Sequence, residues 1–257
     1  MALVANKVSV HLAGFDLLRQ VSVAVVPGKV TAVVGPNGAG KSSLLRVLTG
    51  DLPVTTGSVA LNQKQLADWH PQKRAQILAV LPQQTPLNFP FTAREVVELG
   101  RTPHDTGKIR DREIVQQALA LVDASYLDKR FYTEMSGGEK QRVQLARVLA
   151  QIWEPSPLGK RFLIMDEPTS AFDLCHQQMT LDIVRRFSSE GVGVLMVLHD
   201  LNLAARCADN LAVITCGAIA AQGSPEEVLT EALIADVFRV KAMIGRNPRT
   251  NTPLVIT

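Results

Sequence analysis

The run Gly35-Pro36-Asn37-Gly38-Ala39-Gly40-Lys41-Ser42 fits the spacing G-x-x-x-x-G-K-[ST] of a phosphate-binding loop. The residues before it, Val30-Thr31-Ala32-Val33-Val34, form a short β-branched apolar run, as a buried parallel strand requires. The residues after it, Ser43-Leu44-Leu45-Arg46-Val47-Leu48, read as a helix. Glycines let backbone N–H groups close around phosphate oxygens, and the helix start adds partial positive charge. In such a loop Lys41 reaches the β- and γ-phosphates and Ser42, followed by Ser43, turns its hydroxyl to Mg²⁺. A glycine turn beside a surface lysine is the plain alternative, and it leaves the flanking strand and helix unexplained.

The chain has 257 residues, 46% of them apolar and 20% charged, enough for one large domain with a subdomain. A net charge of +3, scattered along the chain, gives no reason to expect a nucleic-acid partner. No apolar run reaches the length of a membrane-spanning helix, and the first residues, Met1 to Lys7, lack the pattern of a signal peptide. Cys175, Cys207 and Cys216 are an odd set without C-x-x-C spacing, and are expected to be free core thiols in a reducing compartment.

Residues 3 to 34 and 51 to 84 read as short strands punctuated by turns, among them Gly57-Ser58-Val59-Ala60-Leu61-Asn62 and Ile77-Leu78-Ala79-Val80-Leu81. From Thr92 to about Ala150 the apolar spacing becomes helical: Val96, Val97 and Leu99 on one helix, Ile114 to Val122 on the next, Gly138 to Leu149 on a third. Beyond Trp153-Glu154-Pro155-Ser156-Pro157, strands and helices alternate again, with Phe162 to Met165 and Val192 to Leu198 as central strands and a hairpin around Gly217. The expectation is an α/β core interrupted by a helical insert: core 1–84 and 155–257, helical subdomain about 85–154.

Two further segments carry chemistry. In Phe162-Leu163-Ile164-Met165-Asp166-Glu167-Pro168, Asp166 stands at the carboxyl end of a buried strand, where open parallel sheets bind ligands. It is suited to the Mg²⁺ shell, and Glu167 beside it to activating a water as general base. In Met135-Ser136-Gly137-Gly138-Glu139, Ser136 is placed to cap a helix whose first N–H groups make a second anion site. One γ-phosphate cannot occupy two such sites in one chain, so two chains are expected to share nucleotides.

Taken with Ala171-Phe172-Asp173 and Val197-Leu198-His199-Asp200, these motifs in this order resemble the nucleotide-binding subunit of an ABC transporter across nearly the whole chain. The resemblance implies a P-loop NTPase of RecA-like type: a mixed-sheet α/β core, an N-terminal antiparallel β subdomain and an inserted α-helical subdomain. It implies a homodimer of ATPase subunits, with Gly35 to Ser43 of one facing Ser136, Gly137 and Gly138 of the other across ATP. It also implies Gln83 as Mg²⁺-sensing glutamine beside Ser42 and Asp166, with Gln84 an open alternative. Asp173 falls in the loop that crosses the interface, and His199 at the γ-phosphate. Two transmembrane permease subunits, docked along Thr85 to His104, and a periplasmic binding protein complete the implied system, at the cytoplasmic face of a bacterial inner membrane.

The chain departs from the family pattern in places. Glu139 stands where glutamine is usual, its carboxylate expected to point away from phosphates. Phe172 replaces leucine, and the adenine-stacking position holds His11 and Leu12 with Phe15 nearby, His11 being the preferred choice. The segment Leu99-Gly100-Arg101-Thr102-Pro103-His104 is similar to ATPases of siderophore, cobalamin and haem importers, and Leu149 to Pro155 to those for haem in particular. Siderophore or cobalamin import remains the alternative, and a soluble non-transport ABC ATPase is disfavoured by the lack of a coiled-coil insert or second cassette. His70, His104 and His176 are expected at the surface or at subunit contacts, not as haem ligands.

Overall fold

In a computed structural model, residues 1–83, 87 and 89–257 are described; Gln84, and Thr85 at the edge of the expected docking segment, lie outside them. Strands β1 (Leu3–Leu12), β2 (Phe15–Val25), β4 (Thr56–Leu61) and β5 (Lys64–Gln65) make an antiparallel sheet in the order β2-β1-β4-β5. Between β2 and β4 the chain lays down β3 (Val30–Val34), which belongs to the central sheet with β6 (Leu78–Leu81), β7 (Phe162–Asp166), β8 (Gly193–Val197), β9 (Asn210–Thr215) and β10 (Ala218–Gly223). Its order is β10-β9-β3-β8-β7-β6, parallel throughout except for β10. This is the mixed core and antiparallel β layer anticipated above.

The parallel strands are apolar in both parities because both faces are covered. On β7, Phe162 and Ile164 face a core shared with the antiparallel sheet and helix α1 (Lys41–Thr49). Leu163 and Met165 face a second core built by the helices. The helices of that second core include α3 (Ala93–Glu98), α4 (Lys108–Leu121), α5 (Gly137–Gln151), α6 (Leu174–Ser189) and α7 (Leu201–Cys207), and α2 (Pro71–Ala75) lies on the surface ahead of β6. The α4 stripe of Ile114, Val115, Ala118 and Leu119 is buried as its spacing predicts. Helix α3 is shorter than expected: it ends at Glu98, and Leu99, half-exposed, begins a 3₁₀ turn.

That turn explains the Leu99–His104 segment. Gly100 packs so closely on α5 that a Cβ would lie 2.2 Å from the Arg147 carbonyl oxygen. The Arg101 guanidinium, buried, donates to Asp111 (2.8 Å), Thr106 (2.9 Å) and the Ala150 carbonyl (2.7 Å), clamping α4 to the end of α5. His104 Nε2 bonds to the Gln151 carbonyl at 2.7 Å and the residue is half-buried, so part of it serves an internal contact; His70 is exposed. The cysteine expectation is corrected in two places of three. Cys207 is buried, its thiol pushed up to about 12 by desolvation, but Cys175 and Cys216 are exposed. A terminal hairpin, β11 (Met243–Arg246) with β12 (Pro253–Ile256), had no counterpart in the sequence reading. It is tied to α7 by Asn202, which donates to the Val255 carbonyl (3.0 Å) and accepts from the Val255 N–H (2.7 Å).

Gly100→Ala is expected to lower stability by about 1–3 kcal/mol, the range for forcing an extra carbon into a packed contact. Denaturant unfolding checks this, and a midpoint equal to that of the unsubstituted chain would mean that the turn yields easily.

Candidate nucleotide site

Helix α1 starts on Gly40, whose φ of 108° is left-handed and whose Cβ, if present, would press within 2.9 Å of the Leu17 carbonyl oxygen. No side chain caps that start, so first-turn N–H groups are directed at whatever anion lies ahead of the helix. A cavity of about 640 Å³ lies there, within the range of small-ligand sites. Asn37, Gly38, Ala39, Gly40, Lys41, Ser42, Ser43, Glu167 and His199 line it, together with Phe15 to Leu17 at the start of β2. Gly35 and Pro36 act through their carbonyls, which accept from Lys41 Nζ at 2.8 and 2.9 Å.

The acidic pair comes off the end of β7. Glu167 has φ 49°, a left-handed backbone uncommon for a non-glycine residue and of the kind concentrated at working sites. One of its carboxylate oxygens accepts from Gln83 Nε2 at 2.9 Å, and the other is bonded to His199 Nε2. The structure thus gathers Gln83, Glu167 and His199, from the ends of β6, β7 and β8, around one carboxylate. Asp200 follows His199 and caps α7, accepting from Asn202 and Leu203 N–H at 2.8 and 3.0 Å, which fixes the loop that carries the imidazole.

Asp166 sits deeper. Burial pushes its carboxyl above the usual range, and the Glu167 charge adds to this, while the Ser42 hydroxyl, Lys41 and His199 act the other way. Burial likewise pushes the Lys41 ammonium down, opposed by the charges of Glu167 and Asp166. Asp166 is not itself in the cavity's lining but is hydrogen-bonded to Ser42, which is; the Ser42 hydroxyl and the Asp166 carboxylate are hard oxygen donors, and this set fits Mg²⁺, which keeps most of its shell as water and phosphate oxygen. Among the described residues no group of three or more His, Cys, Asp or Glu side chains forms a dedicated metal cage.

Ser136, Gly137 and Gly138 are not in this cavity's lining, and neither is Asp173. Ser136 caps α5 as expected, in a reciprocal box: its Oγ accepts from the Glu139 N–H (3.3 Å), and Glu139 Oε2 accepts from the Ser136 N–H (2.8 Å) and hydroxyl (2.8 Å). Those two Ser136 bonds, with Arg130 at 3.2 Å, hold the Glu139 carboxyl below its ordinary value. Glu139 thus folds back onto the helix start that it helps to cap. Gly137 faces open space, with nothing within 4 Å of its Cβ position. His11 also falls outside the lining; its Nδ1 is bonded to Asp16 (2.9 Å), and the aromatic ring on the cavity wall belongs to Phe15, 72% exposed.

The ABC transporter family profile matches residues 18–170, more than half of the chain. This chain belongs to the ABC transporter family. It is 50% identical over 254 residues to the hemin import ATP-binding protein HmuV of Gloeobacter violaceus, covering 98% of this chain and 92% of that protein. With the protein of the same name from Pseudomonas aeruginosa it shares 45% over 251 residues, 98% of each. Its fold is that of a solved protein described as a metal-chelate type ABC transporter, with a TM-score of 0.81 at 24% identity over 99% of this chain and 96% of that one. A second structure, an ATP-binding cassette of an ABC transporter in its ADP conformation, gives 0.79 at 24% identity, covering 94% of this chain and all of that one. The chain is accordingly an ATP-binding, ATP-hydrolysing component of a transport system. No helix among the described residues is long and apolar enough to cross a membrane.

Because the Asp166 pKa is raised on folding, the group favours the folded state below its unfolded value near 3.9. That contribution is lost as pH rises through the raised folded value. At neutral pH its buried charge therefore destabilises the nucleotide-free chain. Asp166→Asn is expected to raise stability at pH 7 by about 1 kcal/mol, the scale of relieving a functional strain. A thermal melt without nucleotide reads this directly, and a lowered midpoint would contradict it.

Proposed function

We propose that this chain is the ATPase of a hemin importer, acting as a homodimer beneath two transmembrane permease subunits fed by a periplasmic binding protein, at the cytoplasmic face of the inner membrane. One observation supports the shared-site part of the reading: the start of α5, where Gly137 faces open space, lies outside the cavity that the phosphate loop of the same chain lines. A head-to-tail pair brings Ser136, Gly137 and Gly138 of each subunit over the γ-phosphate in the other's cavity, with Asp173 crossing the seam. The hemin part rests on the relatives named above, since nothing in this cavity touches the cargo.

The chemistry follows from the side chains present. Lys41 and the N–H groups of the glycine loop stabilise charge on the β- and γ-phosphates, and Phe15 offers its ring to adenine. Glu167 takes the proton of the attacking water as oxygen–phosphorus bond formation displaces ADP. Gln83 and His199, each bonded to one oxygen of that carboxylate, hold it in line. Mg²⁺, held by Ser42 and Asp166 with Gln83 alongside, supplies charge neutralisation when bound. Hydrolysis reopens the pair, and the helical subdomain, about 85–154, moves against the core (1–84 and 155–257) and carries the permease with it.

Reconstituted with its permease and binding protein, the complex is expected to hydrolyse ATP faster when hemin-loaded binding protein is added, and not with a ferric siderophore or cobalamin. Stimulation by either of those instead would reassign the cargo. Glu167→Gln should leave ATP binding in place and slow turnover at least about 10²-fold, the scale of a lost general base. Near-normal hydrolysis by that variant would remove Glu167 from the role.

A further inference from the structure

The segment between Glu167 and α6 is joined to the start of α5 by more than packing. Gln141 Nε2 donates to the Pro168 carbonyl at 2.9 Å, and a Cβ on Gly138 would lie 3.4 Å from the Ala171 carbonyl oxygen. Beneath these contacts runs a line of side chains. Arg142, only 6% exposed, gives one N–H to His176 Nε2 (2.7 Å) and another to the Tyr126 hydroxyl (2.7 Å). His176 Nδ1 is bonded to Asp173 Oδ1 at 2.8 Å, and the Tyr126 hydroxyl donates to Glu139 Oε1 at 3.4 Å. Glu139 in turn holds the Ser136 N–H and hydroxyl.

Donor and acceptor rules fix the protons along this line. A guanidinium cannot accept, so His176 Nε2 must, and the ring proton resides on Nδ1 and is donated to Asp173. The Tyr126 oxygen accepts from Arg142, which leaves its own proton for Glu139. Each link then has one donor and one acceptor: Arg142 donates both ways, to His176 and to Tyr126, His176 donates on to Asp173, and Glu139 accepts from Tyr126 on one side and Ser136 on the other. Helix capping alone does not call for it. Asp173 already accepts from the His176 N–H at 2.9 Å, which satisfies the start of α6 without the imidazole. Nor is the buried arginine there for economy: its Nε is buried without a hydrogen-bond partner among the described residues, a cost that a packed apolar side chain would not carry.

We propose that Arg142 and His176 are positioning residues that lock the Asp173 carboxylate to the helix carrying Ser136, so that the two loops each subunit presents to its neighbour move as one piece. The inference rests on the shared-site reading above. Its consequence is that capture of a phosphate by Ser136, which must loosen the hydroxyl from Glu139, is transmitted along the line to Asp173. ATP affinity is set chiefly by the glycine loop and Lys41, and the line touches neither; its loss should slow turnover and leave the KM for ATP in place.

The test is ATP hydrolysis by the assembled complex. His176→Leu is expected to lower kcat at least about tenfold, the scale of a displaced positioning group, with KM changed less than twofold. His176→Gln, whose amide can accept from Arg142 and donate to Asp173, should recover most of the rate. The double variant Asp173→Asn/His176→Leu should be no slower than Asp173→Asn alone, since both act through one contact. Wild-type turnover by His176→Leu, a His176→Gln variant as slow as His176→Leu, or multiplying losses in the double variant would each overturn the proposal. If leucine prevents folding, His176→Asn, too short to reach both partners, takes its place with the same expectations. A Ser136→Arg complex separates the two readings. Full activity there would refute the shared site itself, whereas an inactive Ser136→Arg beside a normal His176→Leu would refute the line of contacts alone.

Discussion

Strand β7 is packed on both faces: Phe162 and Ile164 lock into the core beneath the antiparallel sheet, Leu163 and Met165 into the core beneath the helices. A strand held that way has no freedom to slide, because a shift of one residue would exchange its two apolar sets between differently shaped layers. Its last residue, Asp166, and the left-handed Glu167 beyond it are therefore delivered to fixed points at the edge of the sheet. The neighbouring strands act alike. β6 and β8 flank β7 in parallel register, and their ends supply Gln83 and His199 to the same carboxylate. The chemistry of the cavity is in this sense a property of sheet packing.

That packing confines opposing charges within a small space. Lys41 and Glu167 line the cavity and Asp166 stands next to Glu167 in the chain, with burial working against the ionised forms of both Lys41 and Asp166. The backbone supplies what the side chains lack. The carbonyls of Gly35 and Pro36 hold the ammonium, and the N–H groups at the uncapped start of α1 face outward to an anion. A triphosphate arriving there meets donors on the loop side and acids on the β7 side, so the polarity of the site is set before any ligand contributes charge of its own.

What could be read from the sequence was whatever lies within a few residues of itself. The phosphate loop, the Asp166–Glu167 end of β7 and the Ser136 cap are contiguous patterns, and strand–loop–helix context makes each of them specific. The helical stripe on α4 and the two-sided apolar strands were plain for the same reason. The features that escaped depend on distant chain segments meeting. Arg142 and His176 are 34 residues apart, and nothing in either neighbourhood announces the other. Phe15 and His11 stand on opposite sides of the Gly14 turn, and only the pairing of His11 with Asp16 decides which ring is left for the cavity. Gly100 looks like an ordinary glycine until α5 is laid against it. The β11–β12 hairpin is only four residues on each strand, too short for its alternation to stand out, and its apolar side, with Val255 and Ile244, is set against the helix-side core by contacts with α7 that the local sequence does not reveal.

The unequal setting of the three thiols has a practical corollary. Cys207, buried with its proton firmly held, is chemically silent near neutrality, which leaves Cys175 and Cys216 as the places where an alkylating dye attaches. One is on the rim of the nucleotide cavity and the other is two residues beyond Asp173, at the edge the chain would turn toward a second copy. The polypeptide as nature wrote it therefore offers a fluorophore position at each of its two functional margins, with no cysteine needing to be introduced and only one needing to be removed to choose between them.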